Sequence, residues 1–144
     1  MKYIIPQQTI LLLIFLVGCK GVDITEDDIH PIVGEWTGLD REQKLINSDG
    51  IILSTDISPY NKVWTFNLDN TFSEGDTTSY SSDSFSVKWS INENELTITA
   101  VVGEEYIILL YDYSINNNIL LLIRIIPYEN GDSLIIKLIF NKSN

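Results

Sequence analysis

Beyond residue 31 the chain alternates apolar and polar positions with a period of two. Phe85, Val87, Trp89 and Ile91 are separated by Ser86, Lys88 and Ser90, which predicts a strand with one buried and one wet face. Trp64, Phe66 and Leu68 alternate with Thr65 and Asn67, and Leu96, Ile98, Ala100 and Val102 continue the pattern around Thr97 and Thr99. Asp69-Asn70, Asn92-Glu93-Asn94, Gly103, Asn116-Asn117-Asn118 and Asn130-Gly131 fall between these runs. Such residues tolerate positive φ or bond their own backbone, as tight hairpins require. No 3.6-residue stripe interrupts the series. The spacing predicts roughly eight to ten strands in an all-β domain. Short successive hairpins favour an antiparallel up-and-down β-barrel, because closure removes exposed edges; a β-sandwich is the alternative.

The last three predicted strands, over residues 106–111, 119–126 and 134–140, are apolar at both parities. If Ile107, Leu109, Tyr111, Leu121, Ile123, Leu138 and Phe140 point inward, then Ile108, Leu110, Leu120, Leu122, Ile135 and Ile139 point outward. A contiguous exposed apolar area of that kind marks an interface, either a homodimer or a protein partner. A sandwich or an internal flap that buries both faces would explain it equally well.

The first twenty residues read differently. Lys2 precedes an apolar run from Ile10 to Val17, then Gly18 and Cys19. The run is too short for a membrane-spanning helix and has the order of a secretory signal. Leu16-Val17-Gly18-Cys19 resembles the lipobox of bacterial lipoproteins, which implies cleavage before Cys19 and acylation of its thiol. Cys19 is the sole cysteine, so no internal disulfide competes for it. The chain thus divides into a signal (1–18), a lipidated cysteine with an acidic tether (19–30) and a barrel domain (31–144).

Charge narrows the partners. Without Lys2 the nine bases become eight against twenty acids, a formal charge of −12. Such a body repels phosphate backbones, which excludes nucleic acid. Asp23, Glu26, Asp27 and Asp28 lack the spacing of a calcium loop and read as a solvated linker. Acidic residues just after the lipid cysteine resemble surface-export signals of Bacteroidetes lipoproteins. The expected location is therefore the cell envelope, lipid-anchored at the outer membrane, on either its periplasmic or its surface face.

Catalytic chemistry is poorly supplied. His30 is the single histidine and Cys19 is committed to lipid, so no Ser–His or Cys–His pair and no zinc site can be assembled. No enzyme activity, metal or cofactor is expected. The aromatic set carries the binding reading instead: Trp64, Phe66, Phe85 and Trp89 share one face of successive strands, joined by Trp36, Phe72 and Tyr111. Either these rings line a pocket for a small apolar ligand or they fill the barrel, which then works through its outer surface as a structural lipoprotein or an inhibitor.

Two segments bring a family into view. Ile32-Val33-Gly34-Glu35-Trp36-Thr37 contains a Gly-x-Trp similar to the first-strand signature of lipocalins. Residues 64–73 (WTFNLDNTFS), followed by Trp89-Ser90-Ile91 and Leu96-Thr97-Ile98-Thr99, resemble the lipocalin-like domains of Bacteroidetes lipoproteins. The likeness extends from about Ile32 to Val102. It implies an eight-stranded calyx for a small apolar molecule, with an arginine from near the chain end covering Trp36. Arg124 is the late arginine, but the unbroken apolar parity Ile119, Leu121, Ile123 and Ile125 places it on the other face. Mass spectrometry of the membrane fraction is expected to find acyl mass on Cys19; a mature chain without it would refute lipidation.

Overall fold

The computed structural model describes residues 29–76, 87–102 and 104–143; the signal, Cys19, the tether before Ile29 and Phe85 lie outside them. Nine antiparallel strands follow in order: β1 (Gly34–Ile46), β2 (Ile52–Pro59), β3 (Lys62–Phe66), β4 (Thr71–Asp76), β5 (Val87–Asn92), β6 (Glu95–Val102), β7 (Glu105–Asn116), β8 (Ile119–Pro127) and β9 (Ser133–Lys142). β1 pairs with both β2 and β3, each strand from β3 onward pairs with the next, and β9 returns to β1. The result is a closed eight-stranded barrel, with β2 an extension alongside β1.

The predicted turn residues make the hairpins. Asn117 and Asn118, with φ of 47° and 64°, join β7 to β8 as a two-residue loop with both centres left-handed, the geometry whose twist matches the flanking strands. Asn70 and Glu93 also take positive φ at the β3–β4 and β5–β6 turns. Leu68, expected on the apolar face, sits in the first of these turns and is exposed.

β1 changes partner halfway. Residues 34–37 pair with β3, while Asp40 to Ile46 pair with β2; β9 runs along the opposite edge throughout. The handover coincides with a bulge at Leu39, where the β1–β9 register passes from Gly38↔Phe140 to Asp40↔Ile139. One extra residue inverts the alternation. Trp36 and Gly38 face inward before it, and Arg41, opposite the buried Leu138, faces inward after it. Glu42 is thereby turned outward to Lys44 and Lys137, at 2.7 and 3.8 Å. These are solvent-accessible, half-buried pairs of small energetic consequence.

The core occupies one end of the barrel. Cross-strand pairs Trp36↔Trp64, Phe66↔Phe72, Trp89↔Ile98 and Leu96↔Tyr111 put their side chains on the same inner face. Ile32, Trp36, Phe66, Leu96, Leu120, Leu122 and Phe140 have essentially no solvent contact.

Leu120 and Leu122 correct the sequence expectation. Both were assigned outward, yet Leu120 pairs with Phe140 and Leu122 with Leu138 in the interior. Leu121 and Ile123, assigned inward, share the outer face of β8 with the exposed Ile125. The cause is the strand's composition: apolar residues at both parities leave no signal for which face is buried. Of the other proposed outer residues, Ile108 and Leu110 are exposed, while Ile135 and Ile139 are half-buried on the outer wall. Leu122→Ala is expected to cost about 2–5 kcal/mol, whereas Leu110→Ala should change stability by less than about 0.5 kcal/mol. Chemical denaturation compares the two; equal effects would return Leu122 to the wall.

Candidate functional site

The candidate aromatic residues within the described segments pack on one another. Trp64 is the hub: its ring lies 4.9 Å from Phe140, 5.1 Å from Phe72 and 6.0 Å from Tyr111 between centroids. Phe66 meets Phe72 at 5.2 Å and Trp89 edge-on at 5.7 Å, distances favourable for ring quadrupoles. Trp36 lies below them, wholly buried. Together they form a floor across the barrel. Of the residues expected to line a pocket, Trp64, Phe72 and Tyr111 stand nearest its upper side.

Above the floor the inner wall changes character. The chain passes from β2 to β3 in a tight bend, with Tyr60 N donating to Leu39 O at 3.0 Å and Lys62 N to Tyr60 O at 2.9 Å. Gly38 makes this approach feasible, because a Cβ there would stand 2.2 Å from the Tyr60 carbonyl oxygen. The bend turns the Tyr60 ring inward, 5.6 Å from Phe140 and 6.4 Å from Trp64. Burial pushes its phenol far above the usual tyrosine range, helped by Glu74 and Tyr111 and opposed by Trp64 and Arg41. Tyr111 is raised by burial too, against the pull of Arg124 beside its hydroxyl. Both phenols are therefore protonated donors at neutral pH.

Arg41 and Arg124 complete this tier. Arg41 faces Ser58 across the β1–β2 ladder. Arg124 shares the inner parity of Leu120 and Leu122 and lies opposite Ile136, which packs against the core. Neither guanidinium has a carboxylate within 4 Å among the described residues, whereas Glu74 is met by Lys62 at 3.7 Å. Arg41 Nε, Ser58 Oγ and Trp64 Nε1 are buried without a hydrogen-bond partner; the indole N–H adjoins the Tyr60 phenol. Unpaired buried donors are costly, and here they converge on one level of the barrel. A concavity of 560 Å³ lies on the outer wall, between Lys88, Ser90, Thr99 and Tyr106. Its hydrophilic groups face solvent and carry no comparable unmet demand.

The lipocalin-like domain model matches residues 32–122. The chain belongs to the lipocalin-like domain family. Neither a curated protein nor a solved structure matches it. The match extends past Val102 through β7 into β8, and β9, which closes the barrel, lies beyond it. The family is in general a binding fold and not an enzyme fold. Among the described residues no group of three His, Cys, Asp or Glu side chains could hold a metal ion.

The closed end of this lipocalin-like barrel is sealed from both termini. Trp36 Nε1 donates to Ile32 O at 2.7 Å. Over the indole face stands Lys142, its Nζ 5.3 Å from the ring and 3.1 Å from Pro31 O. A cation from near the chain end does cover the first-strand tryptophan, but it is Lys142. Arg124 faces inward one level higher, contrary to the parity argument, because both parities of β8 are apolar. Sequence reasoning missed Arg41, Tyr60 and Lys142 altogether. Lys142 had a legible signal, a cation closing an apolar strand; Arg41 had none, since the bulge at Leu39 decides its direction.

His30 closes the same end. Its Nδ1 accepts the Ile32 N–H at 3.2 Å, and its Nε2 meets the Tyr113 hydroxyl at 3.2 Å. An Nδ1 acceptor requires the neutral ring, and burial lowers the imidazole below its ordinary 6.5. The unfolded chain therefore takes up this proton first as pH falls. The stability due to neutral His30 is complete above the unfolded value and is lost as pH drops below it. Melting temperature is expected to decline from pH 7.5 to 5, and His30→Gln to flatten that decline; an unchanged slope would refute the role.

Proposed function

We propose that this chain is an exported, lipid-anchored binding protein whose barrel holds a small apolar ligand above the aromatic floor. The observation that carries this reading is the change in burial along the inner wall. Floor residues are almost wholly enclosed, yet Ile107, on the same inward parity as Leu109 and Tyr111, is 48% exposed. Arg124, Ile126 and Ile136 are likewise only half-buried. Inward positions in a filled barrel would be enclosed along their full height. An apolar wall that solvent reaches from one end suits a ligand that displaces that solvent.

Anchoring supports an orientation. Cys19 lies ten residues before Ile29, where the described chain begins at the closed end. Extended backbone spans at most about 3.6 Å per residue, so the lipid holds the closed end within about 36 Å of the bilayer. Multiple acyl chains give a stable attachment. The open end is then free to face away from the membrane, in the cell envelope, with the outer membrane as the proposed site. The body's −12 charge keeps it clear of anionic headgroups.

Tryptophan emission of the full-length Cys19→Ser protein, titrated with fatty acids, haem and bile acids, tests the cup. At least one class is expected to shift or quench the spectrum with saturable binding, and Trp64→Phe to remove most of that response. A spectrum unmoved by every class would refute the reading.

A further inference from the structure

Two arginines inside a barrel of strong negative charge call for a reason. Arg41 is turned inward by the bulge at Leu39, and Arg124 by the register of β8. Arg124 stands beside the buried Tyr111 phenol, and the charge of Arg41 acts on the buried Tyr60 phenol. Both phenols lie near Trp64, at centroid distances of 6.4 and 6.0 Å, so that one ring connects the two arginine–phenol pairs. No carboxylate of the described residues pairs with either guanidinium. Glu74, the acid of this level, is held by Lys62 at 3.7 Å. The buried Arg41 Nε, Ser58 Oγ and Trp64 Nε1 have no partner. Two cations and several unmet donors at the base of an apolar cup are complementary to an anion with an apolar body.

We propose that this level binds the carboxylate head group of an amphiphilic ligand, with Arg41 and Arg124 as its cationic partners and Tyr60 and Tyr111 as further donors. The assignment rests on the cup reading above and supplies its chemical class. Guanidinium forks fit a planar carboxylate in bidentate fashion. Glu74 on the same level favours a single negative charge over a phosphate's two. The head lies on the aromatic floor, and the tail leaves toward the open end past Leu109, Ile136 and Ile107.

Calorimetric titration of the full-length Cys19→Ser protein with dodecanoate, dodecanol and dodecyl phosphate tests this. Dodecanoate is expected to bind at least ten-fold more tightly than dodecanol, a difference of ~1.4 kcal/mol, and more tightly than dodecyl phosphate. Arg41→Met and Arg124→Met should each weaken dodecanoate about ten-fold and leave dodecanol unchanged, with Arg→Lys variants intermediate. Near-ultraviolet circular dichroism confirms that each variant keeps the packed floor; where a Met variant does not, its Lys counterpart carries the comparison. Equal affinity for acid and alcohol, or arginine variants that bind both as the parent does, would overturn the head-group assignment and leave the cup standing. Tighter binding of dodecyl phosphate would overturn the choice of carboxylate. Binding of none of the three would overturn this proposal, while the cup itself falls only if haem and bile acids also fail to bind.

Discussion

β1 must satisfy three neighbours, and the rest of the barrel depends on how it does so. One edge belongs to β9 for its whole length, which closes the ring. The other edge is shared between β3 and β2. A regular strand cannot serve both, since the incoming chain has to bend sharply where it changes from one to the other. Gly38 gives the backbone of Tyr60 room to approach, and the extra residue at Leu39 absorbs the resulting twist. The inner face is then occupied by different classes of residue below and above the bulge. Below it is Trp36, the base of the floor. Above it is Arg41, directed into the barrel.

This arrangement explains what could be read from the chain and what could not. β3, β5 and β6 alternate cleanly because their outer faces are wet, so Trp64, Trp89, Leu96 and Ile98 announce their direction. The turns were legible for a local reason, because Asn at positive φ needs no distant partner. β8 gave the opposite result. Its outer face is itself aliphatic, so hydrophobicity no longer distinguishes inside from outside. Its single charged residue then looks outward by convention, although Arg124 points in. Arg41 was hidden differently. A bulge is a property of two paired strands, and alternation within one strand contains no trace of it.

The floor and the charged level above it are mechanically linked. Trp64 contacts Phe72 and Phe140 with its ring face and edge, and it also holds Tyr60 and Tyr111 on either side. The same side chain is thus a core residue from below and a spacer from above. Rings packed in this way resist collapse, so the phenols and guanidinium groups keep their positions although Arg41 Nε lacks a partner. A looser floor would let Arg41 and Arg124 swing outward to solvent, where a guanidinium is more stable than in an apolar wall.

The barrel wall changes beside this level. The β7–β8 ladder stops at Asp112↔Ile123, and the next pair up would be Tyr111 with Arg124. From there β7 bonds to β6 and β8 to β9, with no rungs between them among the described residues. Leu110 and Ile125 flank the same opening on the outside and are exposed. Side-chain contact between Tyr111 and Arg124 therefore stands where backbone hydrogen bonds would otherwise join the wall. Backbone pairing holds two strands at fixed separation, whereas a guanidinium beside a phenol can shift without breaking the ladder below. The polar level thus lies where the β7–β8 ladder ends and the closed floor gives way to unladdered wall, and an anion held by Arg124 would sit at that boundary.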